Sequence, residues 1–271
     1  GYVARTPELW LRDTDSGDVR RVLPPDSVVM DPAPSPDGTR IAFVIADYFQ
    51  NTGDIFVMDH DGANFQQITF DSELDDQPSW SPDGTRIAFR SWQAGYLGDI
   101  WVMDADGGNQ VRLTFDPLPG VWDESHPAWS PDGTRIAYAG NAGGNYDIWT
   151  MAIDGSDSLQ ITNDEDFETE PAWSPDGSVI VFRRCDNVEG CDLFLIAAGG
   201  GAVLPIPRAG EQRMPVFTPD GARIVFVDQE TGFHSPDLFS IRPDGTGAAP
   251  LVTDELPGGS LNPAFLRRRS R

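Results

Sequence analysis

Apolar and polar positions alternate in a pattern that repeats about every 45 residues along most of the chain. One copy of the pattern contains four short apolar runs, at residues 127–129, 135–138, 147–151 and 159–162. The runs are rich in aromatic and β-branched residues, and turn-forming residues separate them. Each copy therefore predicts four antiparallel strands, which we label A to D in chain order.

The turn between strands A and B has almost the same sequence in every copy. Ser-Pro-Asp-Gly occurs at residues 35–38, 81–84, 130–133 and 174–177, and Thr-Pro-Asp-Gly occurs at residues 218–221. Proline presets φ in such a turn, aspartate bonds the local backbone, and glycine accepts the closing geometry. We therefore interpret these turns as structural elements.

Strand C carries the sequence signal from which the copies of the repeat can be counted. An acidic, an aliphatic and an aromatic residue follow one another six times, beginning at Glu8, Asp54, Asp99, Asp147, Asp192 and Asp237. Six units at this spacing predict an all-β fold, a six-bladed β-propeller with four-stranded antiparallel blades. Because the acidic residue recurs once per blade, we interpret it as a hydrogen-bonding bracket between neighbouring strands or loops.

The two ends of the sequence are expected to complete the ring. Residues 1–23 resemble strands B, C and D, and Asn262 begins a segment that resembles strand A. Strands B–D from the N-terminus and strand A from the C-terminus then form one closing blade, from residues 1–23 and 262–271. Since joining the ends removes exposed sheet edges, residues 1–271 are expected to form a single propeller domain.

The strands and turns combine into one recurring phrase, P-x-W-S-P-D-G-x-x-I-A-F, then D-I-W-V-M-D-x-D-G, then L-T. This phrase resembles the repeat of TolB-type β-propellers, over nearly the whole chain. The resemblance implies the propeller fold, and it implies several functions, because such propellers serve as protein-interaction modules, as gating domains of serine peptidases, and as sugar-binding or lyase scaffolds. It also leads us to expect no counterpart of the N-terminal domain that TolB itself carries.

The charge of the chain narrows the range of partners. The formal net charge is −24, the pI is about 4.2, and all 19 basic residues are arginines. Such a chain repels nucleic acid and attracts cations, basic peptides or basic protein surfaces. The alternative interpretation is that the acidity only provides solubility.

Two cysteines bear on the cellular compartment in which the protein is expected to reside. Cys185 and Cys191 flank a polar loop between strands B and C of one copy, where a small disulfide can close. A disulfide favours an oxidising compartment, so a periplasmic or extracellular location is expected; a metal-binding pair is the less favoured interpretation. No apolar stretch reaches the length of a transmembrane segment.

Strand alternation predicts which face of the propeller binds a partner. The A–B and C–D connections are short and uniform and lie on one face, whereas the B–C and D–A connections are long, differ between blades and lie on the other, which we call the variable face. Its acidic and aromatic residues suit a basic protein, a cation or a sugar, although the rings also fit a role in packing under the loops. The candidate binding residues are Asp75, Asp76, Trp92, Tyr96, Trp122, Asp123, Glu124, Tyr146, Asp166 and Glu168.

A second candidate site is the mouth of the central channel. Strand A is innermost in a propeller, and the residue before its repeated proline takes a matching position in each blade. These residues, the channel-mouth ring, are Asp31, Gln77, His126, Glu170, Met214 and Asn262. Because the ring is chemically mixed, it is expected to hold a cation or the end of a peptide; the alternative is a water-filled channel with a polar lining.

Catalysis finds little support in the sequence. The three histidines, His60, His126 and His234, do not suggest a common metal site, and no G-x-S-x-G motif is present. No catalytic residue is assigned and no cofactor is required, while surface Ca²⁺ is compatible with the acidic Asp-x-Asp-Gly turns; the occupancy of the channel by a metal is left open. The expected function is non-enzymatic docking of a protein or peptide on the acidic variable face and channel mouth. The alternatives are a carbohydrate-binding or carbohydrate-active propeller and a structural subunit of a larger extracellular assembly.

Overall fold

A computed structural model describes residues 10–12, 19–21, 29–47, 52–93, 97–115, 122–186, 190–207, 210–229 and 237–252. Within these ranges the chain forms five four-stranded antiparallel sheets, each with its strands in chain order, and one two-stranded sheet. The strand A of each four-stranded sheet contacts the strand A of the next one along the chain. The sheets are therefore arranged radially, as the blades of a propeller.

The strands follow the predicted order A to D in every blade. The two-stranded sheet pairs β1 (Trp10–Arg12) with β2 (Val19–Arg21). Blade 1 contains β3 (Val29–Pro34), β4 (Arg40–Asp47), β5 (Thr52–Asp59) and β6 (Gln66–Gln67), and blade 2 contains β7 (Asp75–Trp80), β8 (Arg86–Ser91), β9 (Asp99–Asp104) and β10 (Val111–Arg112). Blade 3 contains β11 (Glu124–Trp129), β12 (Arg135–Gly140), β13 (Asp147–Ala152) and β14 (Leu159–Gln160). Blade 4 contains β15 (Phe167–Trp173), β16 (Val179–Cys185), β17 (Cys191–Ala197) and β18 (Leu204–Ile206), and blade 5 contains β19 (Glu211–Phe217), β20 (Ile224–Gln229), β21 (Asp237–Ile241) and β22 (Ala249–Val252).

The prediction of six blades is wrong, because the structure shows five four-stranded blades. The sixth unit was counted from the strand C signal that begins at Glu8. In the described part of that unit, β1 pairs with β2 in a sheet of only two strands. A motif for one strand predicts that strand alone and does not supply the neighbours that make a blade. The expected contribution of residues 262–271 to this unit lies outside the described residues.

The core of each blade is centred on strand B. Phe43, Phe89, Phe182 and Phe226 take matching positions in four of the blades and are fully buried. Each lies about 6 Å from the aromatic ring that pairs with it in strand C. Burial of one such ring contributes about 1.5–3 kcal/mol, and the ring pair adds about 0.5–1.5 kcal/mol.

Tryptophans at the end of strand A join blades 2, 3 and 4 each to the blade before it. The indole Nε1 of Trp80 donates to the carbonyl of Ala33 at 3.0 Å, and that of Trp129 donates to the carbonyl of Ser79 at 3.1 Å. Trp173 repeats the contact with the third blade. The indole therefore packs between two blades while its polar group is satisfied.

The A–B and C–D connections lie on one face of the ring, which we call the turn rim, because successive strands are antiparallel. In the A–B turn of blade 2, Asp83 Oδ1 accepts hydrogen bonds from Ser81 Oγ and from Thr85 N and Oγ1, at 2.6–3.0 Å. Gly84 has a φ of 71°, which favours glycine. The structural interpretation of these turns is confirmed.

The strand C acids connect strand C to strand D. Asp99 Oδ1 lies 2.7 Å from Arg112 Nη2, and Asp147 Oδ2 accepts a hydrogen bond from Gln160 Nε2 at 2.9 Å. In each case the carboxylate binds a side chain of the short outer strand. The interpretation of these acids as brackets between neighbouring strands is confirmed for Asp99 and Asp147.

Candidate functional site

The five innermost strands, β3, β7, β11, β15 and β19, enclose a channel of about 490 Å³. Its walls consist mainly of proline, alanine and aromatic side chains, whereas polar side chains gather at the end nearest the variable face. Asp31, Gln77, His126, Glu170 and Met214 all line the channel, and the sixth ring residue, Asn262, lies outside the described residues. The described members of the channel-mouth ring thus lie in one place.

Each ring residue sits in a β-bulge. The register of strand A against strand B shifts there in all five blades, and the ring residue has a positive φ of 49–56°. The following residue is always a proline, which has no N–H to give to the sheet and therefore fits a bulge. The sequence contained a signal for this geometry, since a proline inside a strand indicates a bulge or an edge.

The ring side chains bind the backbone of the next blade. Asp31 Oδ2 accepts a hydrogen bond from Gln77 N at 3.2 Å, and Gln77 Oε1 accepts one from His126 N at 2.6 Å. Glu170 Oε2 accepts a hydrogen bond from Met214 N in the same way. These ring side chains therefore hold neighbouring blades in register at the channel mouth.

Burial dominates the electrostatics of the ring. It raises the pKa of Asp31 and of Glu170, although the hydrogen bonds from Gln77 and Met214 act against the rise. Burial also lowers the pKa of His126 to about 3, with the charges of nearby arginines contributing. The histidine is therefore neutral at physiological pH.

Arginines surround the ring on the side of the variable face. Arg90 Nε lies 3.1 Å from Asp76 Oδ1, and Arg183 Nη1 lies 4.0 Å from Glu170 Oε1. Both arginines belong to strand B and were missed by sequence reasoning. Strand pairing is the signal that could have found them, because each lies opposite the residue just before the ring position of its blade.

Four of the predicted acids on the variable face are buried. Asp75, Asp76, Glu124 and Glu168 lie at the start of strand A in their blades, where they are at most 6% exposed. Burial raises the pKa of Asp75, Asp76 and Glu168 to about 7. These carboxyl groups consequently present little charge to solvent.

Other predicted residues of this face have partners within the chain. Asp123 Oδ1 accepts a hydrogen bond from Gly98 N at 2.7 Å, and the Tyr146 hydroxyl donates to its other carboxylate oxygen. Arg90 lies 5.1 Å from the centre of the Trp92 ring. Asp166 Oδ2 lies 3.9 Å from Arg184 Nη1, and Trp122 is half-buried. Tyr96 lies outside the described residues.

Cys185 and Cys191 form a disulfide that joins the end of β16 to the start of β17, with a Cα–Cα distance of 4.0 Å. Arg183 Nη2 donates to the Sγ atom of Cys191 at 2.9 Å. The disulfide therefore lies next to an arginine of the channel mouth. The hairpin joined by the disulfide opens onto the variable face.

Exposed phenylalanines are the residues of the variable face that sequence reasoning missed. Phe70 is 74% exposed and Phe115 is 68% exposed, at matching positions just after strand D of blades 1 and 2. Phe167, which is 45% exposed, begins strand A of blade 4. The signal that could have found the first two is an aromatic residue directly after the Ile-Thr or Leu-Thr pair that follows strand D.

Comparison with known proteins identifies the family. The family model for the TolB β-propeller domain matches residues 1–120 and 118–254. The chain belongs to this TolB β-propeller family. No curated protein matches the sequence.

Solved structures share the fold of this TolB-family propeller. TolB from Acinetobacter baumannii has a TM-score of 0.75 and 24% identity, and the match covers 88% of this chain and 57% of that protein. The tricorn protease has a TM-score of 0.72 and 19% identity, with 93% of this chain and 25% of that chain covered. Oligogalacturonate lyase from Vibrio parahaemolyticus has a TM-score of 0.62 and 15% identity, with 90% and 72% covered. The propeller thus spans little more than half the length of the A. baumannii TolB, and identities this low show the fold alone.

Two features are absent from the described part of this TolB-family propeller. No group of three or more His, Cys, Asp or Glu side chains in it is arranged to hold a metal ion. No helix in it is long and apolar enough to span a bilayer.

Proposed function

We propose that this TolB-family propeller is a non-enzymatic binding module that docks a protein or peptide with a basic surface on its variable face. The observation that carries the proposal is the exposure of Phe70 and Phe115 at equivalent positions of neighbouring blades. Large aromatic side chains of this kind are the usual anchors of protein interfaces. Acidic residues lie in the loop that follows Phe70.

Packing within the chain does not account for the rings of Phe70 and Phe115. The aromatic residues of strands B and C form the blade core, whereas Phe70 and Phe115 keep most of their surface in water. Arg112 lies 5.0 Å from the centre of the Phe115 ring and covers part of it. A partner that covers both rings gains the hydrophobic free energy that the isolated chain leaves unused, about 25 cal/mol for each Å² of apolar surface.

Charge gives the docking its preference for a basic partner. Glu73 follows Phe70 in the same loop, and Glu165 precedes Phe167; both carboxylates are exposed. The net charge of −24 adds a long-range attraction for basic surfaces. Such charges accelerate association and select the partner, while the aromatic anchors provide most of the affinity.

The proposed location is the periplasm or the extracellular space. The disulfide between Cys185 and Cys191 supports it, because such bonds persist in oxidising compartments. Carbohydrate binding receives no comparable support. Tyr146 and Trp92, two of the rings expected to stack on sugars, already contact Asp123 and Arg90.

Site-specific photo-crosslinking tests the proposal. A photoreactive amino acid at position 70 or 115 of the full chain is expected to trap a basic protein in the source cells, and the same group at position 159 is not. With that protein purified, the double change Phe70→Ala and Phe115→Ala is expected to weaken binding about tenfold or more. Binding is also expected to weaken between about 0.05 M and 0.5 M salt.

Leu159→Ala is the matched control, because Leu159 is an exposed apolar residue (50%) of the outer strand in blade 3 and lies away from the variable-face loops. It should leave the affinity unchanged. The proposal fails if the double variant binds as tightly as the wild type, or if Leu159→Ala weakens binding equally.

A further inference from the structure

The arginines at the channel mouth are not all satisfied by the residues around them. Arg183 Nη2 donates to the Cys191 sulfur, a weak acceptor, and its Nη1 is 4.0 Å from Glu170 Oε1. The Nε atoms of both Arg183 and Arg213 are buried, and neither has a hydrogen-bond partner among the described residues. A buried N–H group without an acceptor is costly and calls for an explanation.

Both guanidinium groups lie beside the channel-mouth ring. Arg213 directly precedes Met214, which lines the channel. Arg183 pairs through its backbone with Thr169, which directly precedes Glu170. Arg183 Nη1 lies 4.0 Å from Glu170 Oε1, and the positive charge of Arg213 also acts on Glu170, so both groups lie in the neighbourhood of this ring residue.

The carboxylates of the mouth are already engaged. Asp31 accepts from Gln77 N, Glu170 accepts from Met214 N, and Asp76 pairs with Arg90. His126 offers no charge of its own, since its pKa is lowered to about 3 by burial. Asp76 Oδ1 and Arg90 Nε have only their ion pair and no hydrogen bond. Among the described ring residues together with Arg183 and Arg213, the buried side-chain atoms without a hydrogen-bond partner are the Nε donors of these two arginines, which favours an anionic ligand over a cation beside them.

We infer that Arg183 and Arg213 form an anion site at the channel mouth that takes a carboxylate. The planar guanidinium group presents paired N–H donors whose geometry matches the two oxygens of a carboxylate. Met214 lies beside the site, and the channel below it is walled by proline, alanine and aromatic side chains. A carboxylate attached to a small apolar body fits these surroundings, such as the C-terminus of a peptide or a small organic acid.

Calorimetric titration of the full chain tests the site with three probes: N-acetyl-alanyl-phenylalanine with a free carboxylate, the same dipeptide as its C-terminal amide, and acetate. The free acid is expected to bind about ten- to a hundredfold more tightly than the amide, because a charge-assisted hydrogen bond is lost. Arg213→Gln is expected to weaken binding of the free acid by a similar factor. Acetate distinguishes the source: equal binding of acetate and the acid indicates a small organic acid, and binding of the dipeptide acid alone indicates a peptide terminus.

Arg242→Gln is the control, since Arg242 is an exposed arginine of a C–D turn on the turn rim. It should bind the free acid as the wild type does, and thermal unfolding checks that Arg213→Gln is folded. The inference is overturned if the acid and the amide bind equally, if none of the probes binds, or if folded Arg213→Gln retains full affinity. It stands independently of the docking proposal, because the Phe70→Ala and Phe115→Ala variant keeps both arginines and should still bind the free acid.

Discussion

The acidic residues of the turn rim and those at the variable-face end of strand A behave in opposite ways. On the turn rim, hydrogen bonds from Ser81 and Thr85 lower the pKa of Asp83 to about 2. At the other end of the same strand, burial raises the pKa of Asp76 to about 7, despite the nearby charge of Arg90. One carboxyl group is stabilised in its charged form and the other in its protonated form. The number of acidic residues in the composition therefore includes carboxyl groups that contribute very differently to net charge and to stability.

The same contrast separates the two ends of blade 4. Asp176 in the A–B turn has its pKa lowered to about 2 by hydrogen bonds from Ser174 and Ser178. Glu168, at the start of β15, has its pKa raised to about 7 by burial, although Arg184 pairs with it. The comparison can be sharpened by removing a charge at either end of a blade.

Replacement of Arg184 by glutamine should have the largest effect. The Arg184 guanidinium binds the carboxylates of Asp164 and Glu168, and the latter is fully buried. Its loss leaves a buried charge without a partner, so the free energy of unfolding at pH 8 should fall by about 3 kcal/mol. At pH 5 the loss should be smaller, because Glu168 can then take a proton. Urea denaturation measures both values, and an equal loss at the two pH values would contradict the contrast.

A change of pH should have an intermediate effect on the free energy of unfolding. Asp75, Asp76 and Glu168 hold their protons more tightly in the folded chain, with pKa values of about 7, than in the unfolded chain, where the values are about 4. Their stabilising contribution is complete below about pH 4 and is lost as the pH rises through 7. For each of these groups, the free energy of unfolding should therefore fall by about 2.5 kcal/mol between about pH 5 and pH 8.

Urea denaturation across this range tests the dependence, with about 0.5 M salt added to screen general charge repulsion. Glu168→Gln should flatten the profile, since glutamine does not titrate. A profile that rises with pH, or that is unchanged in the variant, would refute this assignment.

Substitution on the turn rim should have the smallest effect. Asp83→Ala removes three hydrogen bonds from an exposed turn and should cost about 1 kcal/mol, because water replaces part of what is lost. The cost should be the same at pH 5 and pH 8, since Asp83 stays charged over that range. Asp83→Asn keeps an acceptor oxygen and should cost less. A cost that changes with pH would show that the two ends of strand A do not differ as described.

The repeating strands and turns were predictable because each carries its own local signal. The apolar runs gave four strands per blade, and the turn around Asp83 and Gly84 has the predicted role. The count of six blades was wrong: the closing unit expected from residues 1–23 and 262–271 is described only as the two-stranded sheet of β1 and β2. A local pattern cannot report whether the neighbouring strands are present.

The candidate site was only partly predictable. The repeated proline placed five of the ring residues around one channel, whereas the hydrogen bonds that they make to the next blade depend on tertiary packing. Burial of Asp75, Glu124 and Glu168 was not foreseen, although each lies two residues before the ring position of its blade. Such regular recurrence is typical of structural residues. Phe70 and Phe115 were missed because an aromatic residue next to a strand usually suggests core.

The tryptophan contacts between blades have a consequence for how the chain can evolve. Each indole donor belongs to one repeat and its carbonyl acceptor to the repeat before it, as Trp129 and Ser79 show. A repeat that is duplicated in tandem brings a donor for its predecessor and an acceptor for its successor. Whole repeats can therefore be gained or deleted by recombination without leaving an unmatched polar group at the new junction.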